Sequence, residues 1–149
     1  MNDKILVIED NLEMRENIQE MLEMANYEVA IAINGKDGIN KAKTFSPNLI
    51  LCDIMMPEMD GYEVLYFLSK DHVTSGIPFV FLTAKSEKED LRKGMNLGAD
   101  DYLTKPFDDL ELLNVVETRL NRSLLLRSEG LNTGYKGFIV KAKDLYELE

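Results

Sequence analysis

Five short, mostly apolar segments recur along the chain, and a stretch with helical periodicity follows each of them. Unbroken apolar runs of this length are typical of strands buried on both faces of a parallel sheet. The segments are residues 4–8, 28–33, 49–52, 78–82 and 101–104. Strands that alternate with helices predict an α/β fold, in which helices cover both faces of an open sheet. We therefore expect a doubly wound, flavodoxin-like parallel sheet of order 2-1-3-4-5, with five helices on its two faces.

The helical stretches carry residues that are typical of helix ends. Asn11 follows the first apolar segment and is expected to cap the first helix, and Asp108 is expected to cap the last one. Asn34 and Gly35 read as a turn that closes the second strand. Gly98 suits the end of a fourth helix, which the sequence predicts from about residue 87 to residue 97.

Length and charge limit the classes of function. A chain of 149 residues is long enough for one compact domain with a hydrophobic core. Its net charge of −10 repels phosphate backbones and anionic lipids, so we expect it to bind neither nucleic acid nor membranes directly. The single cysteine, Cys52, excludes an intramolecular disulfide. No apolar run is long enough for a transmembrane helix and the start lacks signal-peptide features, so we expect a cytoplasmic protein.

Polar residues follow four of the five apolar segments. Glu9 and Asp10 end the first, Asp53 ends the third, Thr83 ends the fourth and Lys105 ends the fifth. In an open parallel sheet, ligands bind outside the carboxyl ends of the strands, near the point where the strand order reverses. With the order 2-1-3-4-5, the first and third strands are neighbours. Three carboxylates are therefore expected to converge, with a hydroxyl and an ammonium at the rim.

Three carboxylates in one small volume need a compensating cation or raised pKa values. Oxygen ligands favour a hard ion, and Mg²⁺ commonly takes one or two carboxylates together with water and phosphate oxygens. An aspartate can act as a nucleophile and form an aspartyl-phosphate. Lys105 and the Thr83 hydroxyl are placed to hold phosphoryl oxygens. The residues therefore predict phosphoryl transfer to Asp53 with Mg²⁺.

Four motifs, in order, make the chain similar to a known family. They are residues 4–10, 53–61, 82–84 and 98–107. Together they resemble the receiver domain of two-component response regulators, which has a chemotaxis-regulator-like fold, and the resemblance covers roughly residues 3 to 122. Residues 1–122 are accordingly expected to form the receiver domain. Residues 123–149 are expected to form a helix extension and a C-terminal appendage or a linker to an output region.

The resemblance implies a role for each residue of the site. Asp53 would be the phosphoacceptor, and Lys105 would contact the phosphoryl group. The peptide bond between Lys105 and Pro106 would be cis. The Mg²⁺ ligands would be Glu9, Asp10, the Asp53 carboxylate and the backbone carbonyl of Met55. Thr83 and Tyr102 would be the switch residues, moving together toward the phosphorylated site.

The resemblance also implies partners. The phosphoryl donor would be a sensor histidine kinase or a phosphotransfer protein. Phosphorylation would change the surface around the fourth helix, fifth strand and fifth helix, which would bind an output domain, a partner protein or a second copy of the chain. Such a switch is not an enzyme for an external metabolite, because it catalyses only its own phosphorylation and dephosphorylation.

Two other classes of function remain as alternatives. A binding module with this fold that does not use phosphate is disfavoured, because all the residues of the proposed site are present. An enzyme of the same sheet class, such as a phosphatase with an aspartyl intermediate or a flavodoxin-like electron carrier, is the second alternative. The sequence Glu-Asp-Asn-Leu-Glu after the first strand lacks the glycines and hydroxyls of a flavin phosphate loop.

Overall fold

The computed structural model describes residues 2–84 and 93–133, and for residues 122–133 it describes the backbone alone. The strands are β1 (Lys4–Ile8), β2 (Glu28–Ala32), β3 (Leu49–Asp53), β4 (Phe79–Ala84) and β5 (Asp101–Lys105). The helices are α1 (Leu12–Met24), α2 (Gly35–Phe45), α3 (Gly61–Ser69), the helical residues 93–96, labelled α4, and α5 (Asp109–Thr133).

The five strands form one parallel sheet in the order β2-β1-β3-β4-β5. This confirms the predicted order 2-1-3-4-5. The central strand β3 is buried along its whole length, while the edge strand β5 is only partly buried. The unbroken apolar runs of the sequence are explained by this burial, since helices cover the central strands on both sides.

Two hydrophobic cores lie on opposite faces of the sheet. Ile5 and Val7 of β1 point into a core shared with α1 and α5. Leu6 and Ile8 of the same strand point into the other core, which contains residues of α2 and α3. An added Cβ at Gly94 in α4 would lie next to the Phe81 ring of that second core, so α4 belongs to the same face. The prediction of helices on two faces is therefore confirmed.

The helix ends match the caps predicted from the sequence. Asp108 caps the last helix, because its side chain accepts a hydrogen bond from the Glu111 amide at 2.8 Å. The Asn11 side chain accepts a hydrogen bond from the Met14 amide at 2.9 Å, which confirms it as the cap of α1. Asn34 also caps a helix, since its side chain accepts from the Asp37 amide at 2.8 Å and α2 begins at Gly35. The chain bends at residues 33 and 34 after β2, which confirms the predicted turn, and the capping bond joins this turn directly to α2.

Strand β4 is longer than the sequence predicted. Thr83 pairs with Thr104, and Ala84 pairs with Lys105. Thr83 therefore lies one residue before the end of β4 rather than at its end. Pairing with the neighbouring edge strand extends β4 past the last apolar residue of the run, and local hydrophobicity carries no signal for such pairing.

The last helix continues past the predicted domain boundary. The backbone of α5 runs from Asp109 to Thr133, so residue 122 lies within the helix. The rest of the proposed appendage, residues 134–149, lies outside the described residues, as do residues 85–92 of the predicted fourth helix. In the described part of the chain, the helices are all too short or too polar to cross a membrane.

Candidate functional site

Three acidic side chains converge at the carboxyl ends of β1 and β3. Carboxylate oxygens of Glu9, Asp10 and Asp53 all lie within 4.8 Å of one another. The register explains the convergence, because Ile8 at the end of β1 pairs with Cys52, the residue before Asp53. Glu9 and Asp53, which follow Ile8 and Cys52, therefore lie side by side at the same edge of the sheet.

Glu9 is held on every side. It is 1% exposed, and its amide donates to the carbonyl oxygen of Ala32 at 3.1 Å. Its carboxylate accepts from the Lys105 ammonium at 2.9 Å and from the Asn11 amide at 3.2 Å. Its own carbonyl oxygen accepts from the Arg15 guanidinium at 2.8 Å. A buried carboxylate with this many donors is fixed in position, which suits a ligand better than a mobile surface acid.

Asp53 ends β3 and is 6% exposed. Burial and the neighbouring Glu9 carboxylate raise the pKa of Asp53 to about 7, although the charge of Lys105 opposes the increase. The backbone is crowded here, because a Cβ added at Gly61 would lie 2.5 Å from the Asp53 carbonyl oxygen. The carboxylate is thus held in a partly desolvated place where its negative charge lacks sufficient compensation.

Lys105, the last residue of β5, connects the two buried acids. Its ammonium lies 2.9 Å from Glu9 and 3.3 Å from Asp53. Burial lowers the pKa of Lys105, but the hydrogen bond to Glu9 and the charge of Asp53 outweigh it, so the pKa is raised. The ammonium is therefore charged at neutral pH. The peptide bond from Lys105 to Pro106 is cis, as the resemblance implied.

The remaining predicted site residues surround this group. Thr83 is fully buried in β4, next to Leu82, which pairs with Asp53, and its hydroxyl donates to the Ala84 carbonyl at 3.2 Å. Tyr102 on the edge strand is 41% exposed. The side chain of Met55, two residues after β3, is 63% exposed. The structure thus brings Lys105 into contact with Glu9 and Asp53, with an Asp10 oxygen within 4.8 Å of both acids and Thr83 at the same sheet edge.

Sequence reasoning missed Arg15, which contacts the carbonyl oxygens of Glu9 and Asp10 at 2.8 and 3.4 Å. A signal was present. Arg15 occurs three residues before Ile18 and seven before Leu22, at the spacing that defines the buried face of α1. An arginine at such a position needs buried acceptors, and the carbonyls of the β1–α1 turn supply them.

The donor set fits Mg²⁺. The three carboxylates offer hard oxygen ligands. Their three negative charges exceed the two positive charges of Lys105 and Arg15, so the group is not neutralised by its own side chains. The Asp10 carboxylate is exposed and makes no hydrogen bond or ion pair with the described residues. Its lone pairs are therefore free to bind a cation.

Comparison with known proteins indicates the family of the chain. The sequence pattern that defines the response regulator receiver domain matches residues 5–117. The alkaline phosphatase synthesis transcriptional regulatory protein PhoP of Bacillus subtilis is 40% identical over 142 residues, which cover 94% of this chain and 58% of PhoP. The DNA-binding dual master transcriptional regulator RpaA of Synechocystis sp. is 41% identical over 120 residues, or 80% of this chain and 50% of RpaA.

Solved structures give the same result. The chemotaxis protein CheY4 of Vibrio cholerae superposes with a TM-score of 0.76 at 28% identity, and the match covers 80% of this chain and 99% of CheY4. This chain spans only about half the length of the transcriptional regulators, whereas it matches nearly all of the CheY4 structure. The shared region is therefore the receiver region. The chain belongs to the response regulator receiver domain family of two-component signal transduction.

Proposed function

We propose that the chain accepts a phosphoryl group on Asp53 and passes this signal to a partner through the surface of α4, β5 and α5. The observation that carries the proposal is the buried Asp53 carboxylate, which lies 3.3 Å from the Lys105 ammonium and within 4.8 Å of two further acids. A buried carboxylate, an ammonium and further carboxylate oxygens, which are the kinds of group that phosphoryl transfer uses, thus lie close together.

The reaction would transfer a phosphoryl group from a histidine nitrogen of the donor to a carboxylate oxygen of Asp53. A carboxylate oxygen of Asp53 attacks the phosphorus of a phosphohistidine on a sensor histidine kinase or phosphotransfer protein. The P–N bond breaks, an acyl phosphate forms, and the donor histidine leaves as neutral imidazole after taking up a proton from water. The Lys105 ammonium, which is fixed beside Asp53, would contact a phosphoryl oxygen and balance its charge.

Mg²⁺, when bound, supplies positive charge that offsets the phosphoryl oxygens and the acids. The residues proposed to hold it are Glu9, Asp10, Asp53 and the backbone carbonyl of Met55. Buried Glu9 keeps the site rigid, while exposed Asp10 leaves an open side for water and the donor. The same residues would position water for loss of the phosphoryl group. The domain would thus catalyse its own phosphorylation and dephosphorylation and turn over no external metabolite.

The switch would begin at Thr83. Its buried hydroxyl donates to the Ala84 carbonyl at 3.2 Å, and a phosphoryl oxygen on Asp53 would offer a stronger, charged acceptor. Movement of Thr83 would leave room for the Tyr102 ring, 41% exposed on β5, to turn inward. The surface of α4, β5 and α5 would then bind an output domain, a partner protein or a second copy.

The output proposed for the whole protein is control of transcription, since PhoP and RpaA are named as transcriptional regulators and extend beyond the matched region, which covers 58% of PhoP and 50% of RpaA. Residues 1–122 would form the receiver domain, and residues 123–149 would extend α5 as a helix, appendage or linker toward the output region. With a net charge of −10, the present segment would not bind nucleic acid itself. The site of action would be the cytoplasm.

The test is the intact mass of the protein after incubation with acetyl phosphate and Mg²⁺. We expect a gain of one phosphoryl group in the wild-type protein, and none in Asp53→Asn or in the presence of EDTA. Asp60→Asn, which changes another acid after β3, is the matched control and should still be labelled. An Asp53→Asn variant labelled as well as wild type would refute the proposal.

A further inference from the structure

Arg15 is a charged residue in the core-facing side of α1. It is 8% exposed and lies on the same face as Ile18 and Leu22, which are fully buried. Burying a guanidinium is costly unless its N–H groups find acceptors. The usual acceptor would be a carboxylate, yet the ion pairs of the described residues do not include Arg15.

The guanidinium instead binds backbone. Its Nη1 donates to the carbonyl oxygen of Glu9 at 2.8 Å and lies 3.4 Å from the carbonyl oxygen of Asp10. Its Nε is buried and makes no hydrogen bond within the described part of the chain. The long, charged side chain of Arg15 is thus held in one position, where it contacts the two consecutive carbonyls of the turn between β1 and α1.

These two residues carry carboxylates of the site but are held very differently. Glu9 is fixed by its amide, by both carboxylate oxygens and by Arg15. For Asp10, the contact from Arg15 is the one hydrogen-bonding contact with described residues, and its carboxylate makes none. Between its peptide bonds to Glu9 and Asn11, the backbone of Asp10 is thus held by Arg15, and the direction of the Asp10 carboxylate follows from that backbone.

We propose that Arg15 is a positioning residue of the cation site, whose guanidinium holds the backbone of Glu9 and Asp10 so that both carboxylates face Asp53. The inference rests on the Mg²⁺ site proposed above. A purely electrostatic role would act in the opposite direction, because a nearby positive charge repels Mg²⁺. Removal of Arg15 therefore weakens Mg²⁺ binding if it positions the turn, and strengthens Mg²⁺ binding if it acts only through its charge.

The experiment measures the dissociation constant of Mg²⁺ by titration calorimetry in the unphosphorylated full chain. Arg15→Met keeps the apolar stem and removes every donor, and we expect its dissociation constant to rise about 10- to 100-fold, as when outer-shell partners of metal ligands are lost. Arg15→Lys keeps the charge without the planar fork and should show a smaller increase. Ile18→Val, on the same buried face of α1, controls for loosening of the helix and should bind Mg²⁺ like wild type.

A second readout separates positioning from folding. The rate of phosphorylation by acetyl phosphate in Arg15→Met should fall at low Mg²⁺ and recover at saturating Mg²⁺, so that the half-saturating Mg²⁺ concentration rises while the maximal rate is kept. If Arg15→Met does not fold, the comparison of Arg15→Lys with wild type decides, and an unchanged dissociation constant there overturns the inference.

The outcomes also separate this inference from the proposed function. Wild-type protein that binds Mg²⁺ while Arg15→Met binds it equally or more tightly overturns the positioning role alone. An equal loss of affinity in Ile18→Val assigns the effect to helix stability and overturns it too. Wild-type protein that binds no Mg²⁺ overturns the proposed cation site together with the inference.

Discussion

Replacing Asp53 by asparagine is expected to stabilise the metal-free protein. Burial and Glu9 raise the pKa of the Asp53 carboxyl from 3.8 to about 7, against the opposing charge of Lys105. The ionised form of Asp53 is therefore unfavourable in the folded protein. At neutral pH a large part of the folded molecules nevertheless carries this ionised form. Asparagine has nearly the same shape and no charge, so it resembles the protonated carboxyl at every pH.

The magnitude and the pH window follow from linkage. A folded pKa above the unfolded one gives a stabilisation that is complete below pH 3.8 and is lost as the pH rises through about 7. Each pKa unit is worth about 1.4 kcal/mol. The free energy of unfolding of Asp53→Asn should exceed that of wild type by about 2 kcal/mol at pH 5, and by at most about 4 kcal/mol at pH 8.

Urea unfolding in EDTA, followed by far-ultraviolet circular dichroism from pH 5 to pH 8, measures this difference. The difference between variant and wild type removes the contributions of the titrating groups that do not interact with Asp53. Asp3→Asn makes the same chemical change at an exposed side chain, and it controls for the loss of one carboxylate from an acidic protein. Saturating Mg²⁺ should stabilise wild type more than Asp53→Asn, because one of the proposed ligands is missing in the variant.

Two results would refute the reasoning. The first is an Asp53→Asn variant that is no more stable than wild type at pH 8, which would mean that Lys105 fully compensates the buried charge. The second is a stability difference that does not grow between pH 5 and pH 8, which would assign the effect to packing instead of ionisation.

Three further predictions concern residues around Asp53. Lys105→Met should slow phosphorylation by acetyl phosphate at least tenfold while Mg²⁺ still binds, because the cation for the phosphoryl oxygen is lost; an unchanged rate of mass gain would contradict this role. Gly61→Ala places a methyl group 2.5 Å from the Asp53 carbonyl oxygen and should cost about 1–3 kcal/mol in urea unfolding, whereas Gly76→Ala, which meets open space, should change stability by under about 1 kcal/mol. Thr83→Ala should accept phosphate yet lose phosphate-dependent dimerisation or partner binding in size-exclusion chromatography, and an intact response would exclude Thr83 from the switch.

The fold was largely readable from local sequence. Unbroken apolar runs separated by helical periodicity predicted five parallel strands and helices on both faces, and the structure has this arrangement. The reason is that a strand buried on two faces and a helix buried on one leave different hydrophobic periods in the sequence. Less was readable at the element ends. Asn34 caps α2 and β4 continues to Ala84, and both depend on hydrogen bonds that hydrophobic patterns do not record.

The residues of the site were also identifiable by their place after each apolar run. The sequence alone named Glu9, Asp10, Asp53 and Lys105, because parallel strands deliver their carboxyl ends to one edge. It did not identify Arg15, since the residue type alone does not show whether an arginine is buried or exposed to solvent. What distinguishes them is a pair of backbone carbonyls in a turn, whose position exists only once β1 and α1 have packed.

Tertiary structure alone decided the electrostatics. Lys105 contacts Glu9 across 96 residues of sequence, and the pKa of Asp53 is set by its burial, by Glu9 and by this lysine together. The sequence determined which charges follow the strands. Only the folded structure determined how near these charges lie to one another and how little water reaches them, and these two quantities fix the energy of a charge in a protein.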